Sequence, residues 1–428
     1  MIAGCRAAIW RNALVSLLGL AGLVASGAIP QAQAQTYSVL HRFRGHPDGF
    51  GPNGVFRDAA GNLFGTGIFG GAYDNGTVFE LDTAGTLSVV HSFKGFPSTD
   101  GSFPAAGVVG DDAGNLYGTT TFGGKDPSEG TLYKLDQTGK LTILYSFCRK
   151  QGCTDGEYPA SIPVLDPAGN LYGTAMSGGN CSQVGGCGVV FELSSAARYK
   201  VLHTFTGGAD GATPAPGGGL VRDSQGNLYG TVIAGGDLNC SYLGSSGCGT
   251  LFKIDAAGAF SVVHTFEGPD GTSPAPGLVF DAAGNLYGAT NGGGTPAKKC
   301  FLAGGCGVVF KMTPAGDETV LHSFCSSKSC DEGALPQTGV AVDSAGVVYG
   351  TTEFGTHQTD WGTVFRLDAA GLTVLHNYAG GKDGATPQGS PVLDADGNLY
   401  GATYEGGNIS RRCQFGCGVL FKVAPAAP

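Results

Sequence analysis

A pentad, Gly-Asn-Leu-Tyr-Gly or a near copy of it, occurs seven times in this chain of 428 residues. Repeats of 50 to 60 residues are typical of propeller blades and solenoid units, which are stable only when neighbouring copies stack on one another. This repeat therefore constrains the fold more than any other feature of the sequence. The copies begin at Gly61, Gly114, Gly169, Gly226, Gly284, Gly346 and Gly397, and consecutive copies are 53, 55, 57, 58, 62 and 51 residues apart.

Each unit divides into four short strands, which we name a, b, c and d in chain order. In the fifth unit they correspond to residues 277–281, 286–290, 307–311 and 319–324. Val, Leu, Phe, Tyr and Thr fill these segments, and Asp-Gly or Gly-Asn turns separate them. Nearly continuous apolar runs indicate sheets that are covered on both faces. The sequence therefore predicts an all-β fold, a seven-bladed β-propeller with four-stranded blades.

The two ends of the repeat array complement each other. Residues 37–43 resemble a lone d strand, whereas residues 418–423 resemble a c strand with no d strand after it. We therefore expect the N-terminal strand to close the last blade, which would leave no exposed sheet edge. The alternative is an open β-solenoid, which predicts atypical capping units at both ends, and the repeat contains none.

The first 34 residues have the pattern of a secretory signal peptide. Arg6 and Arg11 form a basic segment, residues 13–25 form an uncharged apolar run, and Ala32-Gln33-Ala34 is a suitable cleavage site. An uncleaved anchor helix is the alternative. We expect residues 35–428 to form a single propeller domain with no membrane span, secreted or periplasmic, and monomeric.

The charge of the chain limits its partners. The formal net charge is −10, and Lys and Arg form no long run. Such a chain would repel a phosphate backbone, so nucleic acid is not an expected partner. The expected partner is instead an extracellular ligand of unknown identity, such as a glycan or a protein.

Cysteine usage is consistent with export. Cys5 lies in the leader, and the remaining twelve cysteines form six local pairs that we expect to be disulfides. Zinc binding is the alternative, but no pair has the Cys-x-x-Cys spacing and none has a histidine close by in sequence. The pairs are Cys148/Cys153, Cys181/Cys187, Cys240/Cys248, Cys300/Cys306, Cys325/Cys330 and Cys413/Cys417.

The repeat also resembles a known family. The repeat is similar to the GloVer tandem repeat of exported bacterial proteins through the pattern Pro-x-x-Gly-Leu-Val-x-Asp-x-x-Gly-Asn-Leu-Tyr-Gly. Its repeat pattern also resembles that of NHL-type propeller blades. The resemblance covers all seven units, roughly residues 37 to 428. It implies an exported protein, but it implies no activity.

Two polar positions recur with the repeat, and we interpret both as structural because a catalytic residue is needed only once. The first position is a His in the d strand and the second is an Asp in the loop that follows it. This Asp could instead form a Ca²⁺ site, but Asx-turns explain it more simply, so no cofactor is expected. The d strands carry His41, His91, His203, His264, His322 and His376, with Tyr145 in the remaining copy. The loops after these strands carry Asp48, Asp100, Asp155, Asp210, Asp270 and Asp383, each directly before Gly. The loop that leads into blade six carries Asp331-Glu332-Gly333 instead.

Functional residues are expected where the repeat is broken. In a propeller the a-to-b and c-to-d turns lie on one face, and here they are short. The b-to-c and d-to-a loops lie on the other face, are long and varied, and hold all six cysteine pairs. We call this second side the long-loop face and predict that it binds a ligand. The candidate residues are His357, Asp360, Trp361, Arg411, Arg412, Phe415, Tyr242, Lys298 and Lys299.

Aromatic rings with Arg and Lys suit sugars, peptides or anionic ligands. No nucleophile-elbow, zinc-protease or phosphate-loop motif occurs. We therefore expect a ligand-binding scaffold. The alternative is a propeller lyase, lactonase or glycan hydrolase with carboxylates or a metal in the central channel.

Overall fold

Seven antiparallel sheets arranged around a common axis form a β-propeller. The structure is a computed structural model that describes residues 35–125, 129–181, 186–242, 244–295, 300, 304–326, 330–355 and 361–425. The predicted signal peptide, residues 1–34, lies outside the described residues. Within them, no helix is long and apolar enough to cross a membrane.

The strands of the blades follow the predicted order a, b, c, d, and in blades three to five the a position consists of two short strands. Blade one contains Phe50–Arg57, Leu63–Phe69, Thr77–Leu81 and Leu87–Ser92. Blade two contains Val109–Gly110, Leu116–Thr120, Thr131–Leu135 and Leu141–Ser146. Blade three contains Glu157–Pro159, Val164–Leu165, Leu171–Ser177, Val189–Leu193 and Tyr199–Thr204. Blade four contains Ala212–Pro214, Val221–Arg222, Leu228–Ala234, Thr250–Ile254 and Phe260–Thr265.

Blade five contains Thr272–Pro274, Val279–Phe280, Leu286–Gly292, Val308–Met312 and Glu318–Ser323. Blade six contains Ala341–Val342, Val348–Thr352, Thr363–Asp368 and Gly371–Asn377. Blade seven contains Ala385–Leu393, Leu399–Glu405, Val419–Ala424 and, as its d strand, Thr36–Arg42. A small hairpin, Ser241–Tyr242 with Ser245–Ser246, and two 3-10 turns, Gln151–Cys153 and Gly381–Asp383, lie in the loops.

The N-terminal strand closes the ring, as the sequence predicts. Thr36–Arg42 pairs antiparallel with Val419–Ala424, with Tyr37 opposite Val423 and Arg42 opposite Val419. The last blade therefore combines three strands from the C-terminal end of the chain with one from the N-terminal end. As a result, the strand Val419–Ala424 is paired on both sides and is not an open edge.

One aromatic pair repeats at all seven interfaces between neighbouring blades. The ring two residues after each d-strand His or Tyr packs against the ring at the centre of the next blade's c strand, and the ring centroids are 5.0 to 5.9 Å apart. The c-strand rings are all completely buried. The pairs are Phe43–Phe79, Phe93–Tyr133, Phe147–Phe191, Phe205–Phe252, Phe266–Phe310, Phe324–Phe365 and Tyr378–Phe421.

Packing also explains the last glycine of the pentad. In blade one this glycine is Gly65, and a methyl group at that position would lie 2.6 Å from the ring of Phe79 and 2.7 Å from the carbonyl oxygen of Gly54. Only hydrogen fits between the a and c strands at this point. The same contact recurs in blade three, where a methyl group on Gly173 would lie 2.6 Å from Phe191.

The a strands meet at the axis. The Ile162 nitrogen of blade three donates a 3.0 Å hydrogen bond to the carbonyl oxygen of Gly218 in blade four. Between blades seven and one, a methyl group on Gly389 would lie 2.2 Å from the Gly54 nitrogen. The Ile162 side chain also lies close to Gly54 of blade one, which is not a neighbouring blade. Small residues and one isoleucine therefore pack closely around the axis at this level.

Both ends of each long b-to-c loop are held. In blades one to five and blade seven, two glycines at the loop base are joined by a backbone hydrogen bond, such as Gly76 N to Gly70 O at 3.2 Å and Gly249 N to Gly235 O at 3.0 Å. The residue just before the closing glycine also accepts a bond of 2.8 to 3.2 Å from the next blade's a strand in all seven blades. The loops therefore start and end at fixed points on the ring.

Candidate functional site

The Asp-x-x-Gly-Asn-Leu-Tyr pattern forms a hydrogen-bonded turn on the short-turn side. In blade two, Asp111 Oδ1 accepts a 2.8 Å bond from the Asn115 nitrogen, and Asp111 Oδ2 accepts bonds from Asn115 Nδ2 at 2.8 Å and the Tyr117 hydroxyl at 3.0 Å. Partial burial opposes ionisation, but these hydrogen bonds outweigh it and lower the pKa of Asp111. The same network forms around Asp166, Asp223, Asp281 and Asp394.

The two recurrent polar positions on the long-loop side pair with each other. His41 Nε2 lies 3.0 Å from Asp48 Oδ2, and that carboxylate also accepts a 3.0 Å bond from the Arg44 nitrogen. Where tyrosine replaces histidine, the Tyr145 hydroxyl donates a 2.5 Å bond to Asp155. The remaining pairs are His91–Asp100 at 3.7 Å, His203–Asp210 at 3.1 Å, His264–Asp270 at 2.7 Å, His322–Glu332 at 3.3 Å and His376–Asp383 at 3.0 Å.

These pairs support the structural interpretation of the recurrent histidines and carboxylates. Each pair fastens a d-to-a loop to the d strand that precedes it, and a bound cation would have to displace these protein contacts. In the d-to-a loop that leads into blade six, Glu332 provides the carboxylate, and its neighbour Asp331 is exposed. Residues with a ligand-binding role therefore have to be sought among those that do not repeat.

Disulfides join the two cysteines of each of the six pairs. They are Cys148–Cys153, Cys181–Cys187, Cys240–Cys248, Cys300–Cys306, Cys325–Cys330 and Cys413–Cys417. All six lie in b-to-c or d-to-a loops. Two of them are adjacent in blade five, where the sulfur atoms of Cys306, Cys325 and Cys330 lie within 4.8 Å of one another. A metal ion there would require both disulfides to be reduced.

Trp361 lies at the end of the b-to-c loop of blade six. Its side chain is 42% exposed. Its carbonyl oxygen accepts a 2.8 Å bond from the Thr386 nitrogen of blade seven, so its backbone belongs to the ring of inter-blade bonds. A methyl group on Gly380 would lie 2.6 Å from the indole nitrogen, which places the indole directly over that glycine. One side of the indole thus packs on the loop and the rest faces solvent.

The predicted residues of blade seven lie in the loop closed by Cys413 and Cys417. Arg412 forms an ion pair with Asp74 of blade one. Phe415 is 73% exposed, and Arg411 is also exposed. Among the described residues, no hydrogen bond, ion pair or ring contact joins Trp361 to these three. Trp361 and Arg412 are therefore on the same face, but the contacts of Arg412 are directed towards blade one.

The other predicted residues are only partly described. Tyr242 lies in the strand Ser241–Tyr242, which pairs with Ser245–Ser246 inside the loop closed by Cys240 and Cys248. His357, Asp360, Lys298 and Lys299 lie outside the described residues.

A run of aromatic rings on the long-loop face was not identified from the sequence. It lies in or next to the a and b strands of blades one to three and consists of Phe50, Phe69, Phe103, Phe122 and Tyr158. Successive ring centroids are 5.1, 5.2, 5.5 and 5.5 Å apart. Phe122 is 36% exposed and the other four are half-buried. The sequence held one indication of this run, because the aromatic residues Phe103 and Tyr158 stand directly before a proline at equivalent positions of the repeat.

Two glutamates lie at the ends of the b strands of blades six and seven, Glu405 at the repeat position of Phe69 and Phe122 and Glu353 one residue before that position. Glu353 accepts a hydrogen bond from Gln337, and burial together with the nearby Glu405 carboxylate raises the pKa of Glu353. Burial also raises the pKa of Glu405. Tyr404, next to Glu405, packs against Gly51 of blade one, because a methyl group there would lie 2.8 Å from its ring. Tyr404 therefore connects the glutamate pair to the aromatic run.

The short-turn side has a cleft of about 800 Å³ between blades four and five. It is lined by residues of the repeat turns, among them Asp223, Asp281 and Lys253. Asp223 and Asp281 belong to the turn networks described above. Lys253 lies over the Tyr229 ring at 5.5 Å. These three polar groups of the cleft thus already have partners within the protein.

Comparisons with known proteins agree with this architecture. Virginiamycin B lyase from Staphylococcus aureus matches with a TM-score of 0.56 and 12% sequence identity, over 91% of this chain and 99% of the lyase. The extracellular domain of a hybrid two-component system from B. thetaiotaomicron matches with a TM-score of 0.54 and 10% identity, over 90% of this chain and 39% of that protein. At these identities the likeness shows the propeller fold alone.

Sequence comparison identifies the family. No curated protein sequence matches this chain. However, the family model described as the Gloeobacter/Verrucomicrobia repeat matches residues 21–243 and 299–428, which together span most of the chain. The chain is therefore a member of the Gloeobacter/Verrucomicrobia repeat family.

Proposed function

We propose that this protein is an exported β-propeller scaffold that binds an extracellular or periplasmic ligand, a glycan, a peptide or a protein, on its long-loop face. The observation that carries the proposal is the contrast between the two faces. On the short-turn side the polar residues of the repeat bond to one another in blade after blade. On the long-loop face the loops differ between blades, and six of them are closed by disulfides, which lowers the cost of ordering those loops when a ligand binds.

The disulfides also support a location outside the cytoplasm, because oxidising compartments preserve such bonds. We therefore propose that the protein is periplasmic or secreted. We also propose that it is a monomer, since the closed ring leaves no strand of the last blade unpaired. We expect no metal cofactor, because the recurrent carboxylates already accept protein hydrogen bonds.

Exposed apolar side chains on the loops are the proposed contacts. Trp361, Phe415 and Ile409 are 42%, 73% and 71% exposed. Large aromatic residues often anchor binding partners because they bury much area with few rotatable bonds. Arg411 adds positive charge in the same loop as Phe415, whereas the charge of Arg412 is paired with Asp74.

Replacement of Trp361 tests the proposal. Against a ligand found by glycan-array and peptide screening of the oxidised protein, Trp361→Ala should weaken binding by about 1–3 kcal/mol, which is the usual effect of removing an aromatic anchor. The melting temperature should change little, because the indole is 42% exposed and packs on loop residue Gly380 rather than in the core. Val262→Ala serves as the control, because Val262 is 37% exposed and lines the cleft on the short-turn side. Unchanged affinity of the Trp361 variant would show that the indole is not a contact.

The second candidate is an enzyme, a lyase, lactonase or glycan hydrolase, acting near the axis. The observation that favours it is the pair Glu353 and Glu405, because neighbouring carboxyl groups whose pKa values are raised by burial are candidates for a general acid and a general base. Product analysis after incubation with lactones and oligosaccharides separates the two functions. Turnover that is lost in Glu353→Gln would favour the enzyme, whereas binding without turnover would favour the scaffold.

A further inference from the structure

The inner rim of the long-loop face has two chemically distinct sectors. The aromatic run lies at the ends of the a and b strands of blades one to three, next to the loops of this face. Its rings alternate between stacked and edge-on contact, with interplanar angles of 22, 83, 87 and 68°. The rings therefore support one another, and Phe122, the most exposed of them, presents aromatic surface to solvent.

The second sector is polar. Glu353 belongs to blade six, and in a ring of seven blades this blade lies across the axis from blades two and three. Gln337 donates a hydrogen bond to Glu353, and among the described side chains the other carboxylate oxygen of Glu353 and both oxygens of Glu405 have no hydrogen-bond partner. These oxygens are hydrogen-bond acceptors. The residues named for the two sectors include no Lys or Arg.

We propose that the aromatic run and the glutamate pair form a binding site for a neutral oligosaccharide. A pyranose ring has an apolar face of C–H groups, which packs on an aromatic side chain, and hydroxyl groups, which donate to carboxylate and amide oxygens. The two sectors are continuous along the ring, because Tyr404, next to Glu405, packs against Gly51, next to Phe50, and they offer these two kinds of contact side by side. An acidic sugar fits less well, because its carboxylate would approach Glu353 and Glu405 without a compensating cation.

This inference rests on the proposed function and narrows it to a ligand class and to a part of the face that the candidate residues do not include. It places the ligand on residues in or next to the blade strands rather than on the loop tips. Trp361 and Phe415 are then peripheral, and binding to the inner rim and binding to the loop tips can be measured separately.

The test is calorimetric titration of the oxidised, full-length mature protein with cellohexaose, mannohexaose and maltohexaose. At least one should bind, and Phe122→Leu should weaken it about tenfold, because leucine keeps an apolar side chain but removes the flat ring. Glu353→Gln should weaken it by a similar factor through the loss of charge-assisted hydrogen bonds. Phe96→Leu is the matched control: Phe96 is 73% exposed in a d-to-a loop of the same face and has no ring contact among the described residues. It should leave affinity unchanged.

Each outcome decides the inference. Failure of all three oligosaccharides to bind overturns it, as does binding that Phe122→Leu and Glu353→Gln leave unchanged in variants with wild-type melting temperatures. A lysine-rich hexapeptide that binds in place of the sugars, with the same sensitivity to Glu353→Gln, also overturns it. If a ligand binds in a way that depends on Trp361 but not on Phe122, the inference fails while the proposed function stands.

Discussion

Replacement of Tyr37 should destabilise the ring at its closing blade. The Tyr37 ring stacks on His376 with centroids 3.6 Å apart and contacts Tyr378 and Phe421 at 5.8 Å each. Its hydroxyl donates a 2.7 Å hydrogen bond to the carbonyl oxygen of Asp383. One side chain of the N-terminal strand thus contacts blades six and seven together.

The magnitude follows from these contacts. Truncation of a fully buried aromatic residue to alanine costs about 3–5 kcal/mol, so for the partly buried Tyr37 we expect about 2–4 kcal/mol. Tyr37→Phe removes only the hydrogen bond and should cost about 1 kcal/mol. Since Gln35–Pro425 form one unit, the entropy of unfolding is roughly 0.8 kcal/mol per degree, and Tyr37→Ala should lower the melting temperature by about 3–5 °C.

Thermal unfolding of the oxidised proteins, followed by circular dichroism, measures this effect. Tyr73→Ala is the control, because Tyr73 is 52% exposed in a b-to-c loop of blade one, and its loss should change stability by less than about 0.5 kcal/mol. The reasoning is refuted if Tyr37→Ala melts within a degree of the wild type, or if the control loses as much stability. Such a result would mean that the N-terminal strand contributes little to closure.

Two further predictions concern packing and protonation. Gly65→Ala should cost at least about 2 kcal/mol, because the added methyl group would overlap Phe79, whereas Gly208→Ala, with 3.4 Å of space at its closest contact, should cost much less in the same urea titration. Burial lowers the pKa of His203 and of His376 below the ordinary value even though an aspartate opposes it, so the unfolded chain takes up protons first and stability should fall as the pH drops below about 6.5. His203→Gln should flatten that fall between about pH 7.5 and pH 5.5, and an unchanged slope would contradict the assignment.

The fold could be predicted because its information is local and repeated. Each pentad predicts an a-to-b turn and a b strand, and the unmatched strands at the two ends predict how the ring closes. The pairing of the d-strand histidines with the loop carboxylates was not recognised, although both positions were. His41 and Asp48 are separated by a loop, and their contact depends on how that loop folds back. The replacement of His by Tyr145 opposite Asp155 was a signal for such a pair.

The inner rim could be predicted only in part, because its repeat positions carry aromatic residues in some blades and other residue types in the rest. Phe103 precedes the a strand of blade two, Phe122 follows its b strand, and Phe69 reaches Phe103 only across a blade interface. Their proximity depends on the tilt and spacing of the blades around the axis. Sequence reasoning favours exposed, unusual residues such as Trp361, and it overlooks ordinary phenylalanines that become neighbours only when the ring closes.

The glycine pairs at the loop bases separate the length of a b-to-c loop from the geometry of the ring. Gly70 and Gly76 enclose five residues and Gly235 and Gly249 enclose thirteen, yet both loops close with the same backbone hydrogen bond. Because closure entropy grows only slowly with loop length, exchange of one loop for another is inexpensive. The protein can therefore serve as a display framework, in which foreign peptides inserted between such a pair leave the neighbouring blades in place.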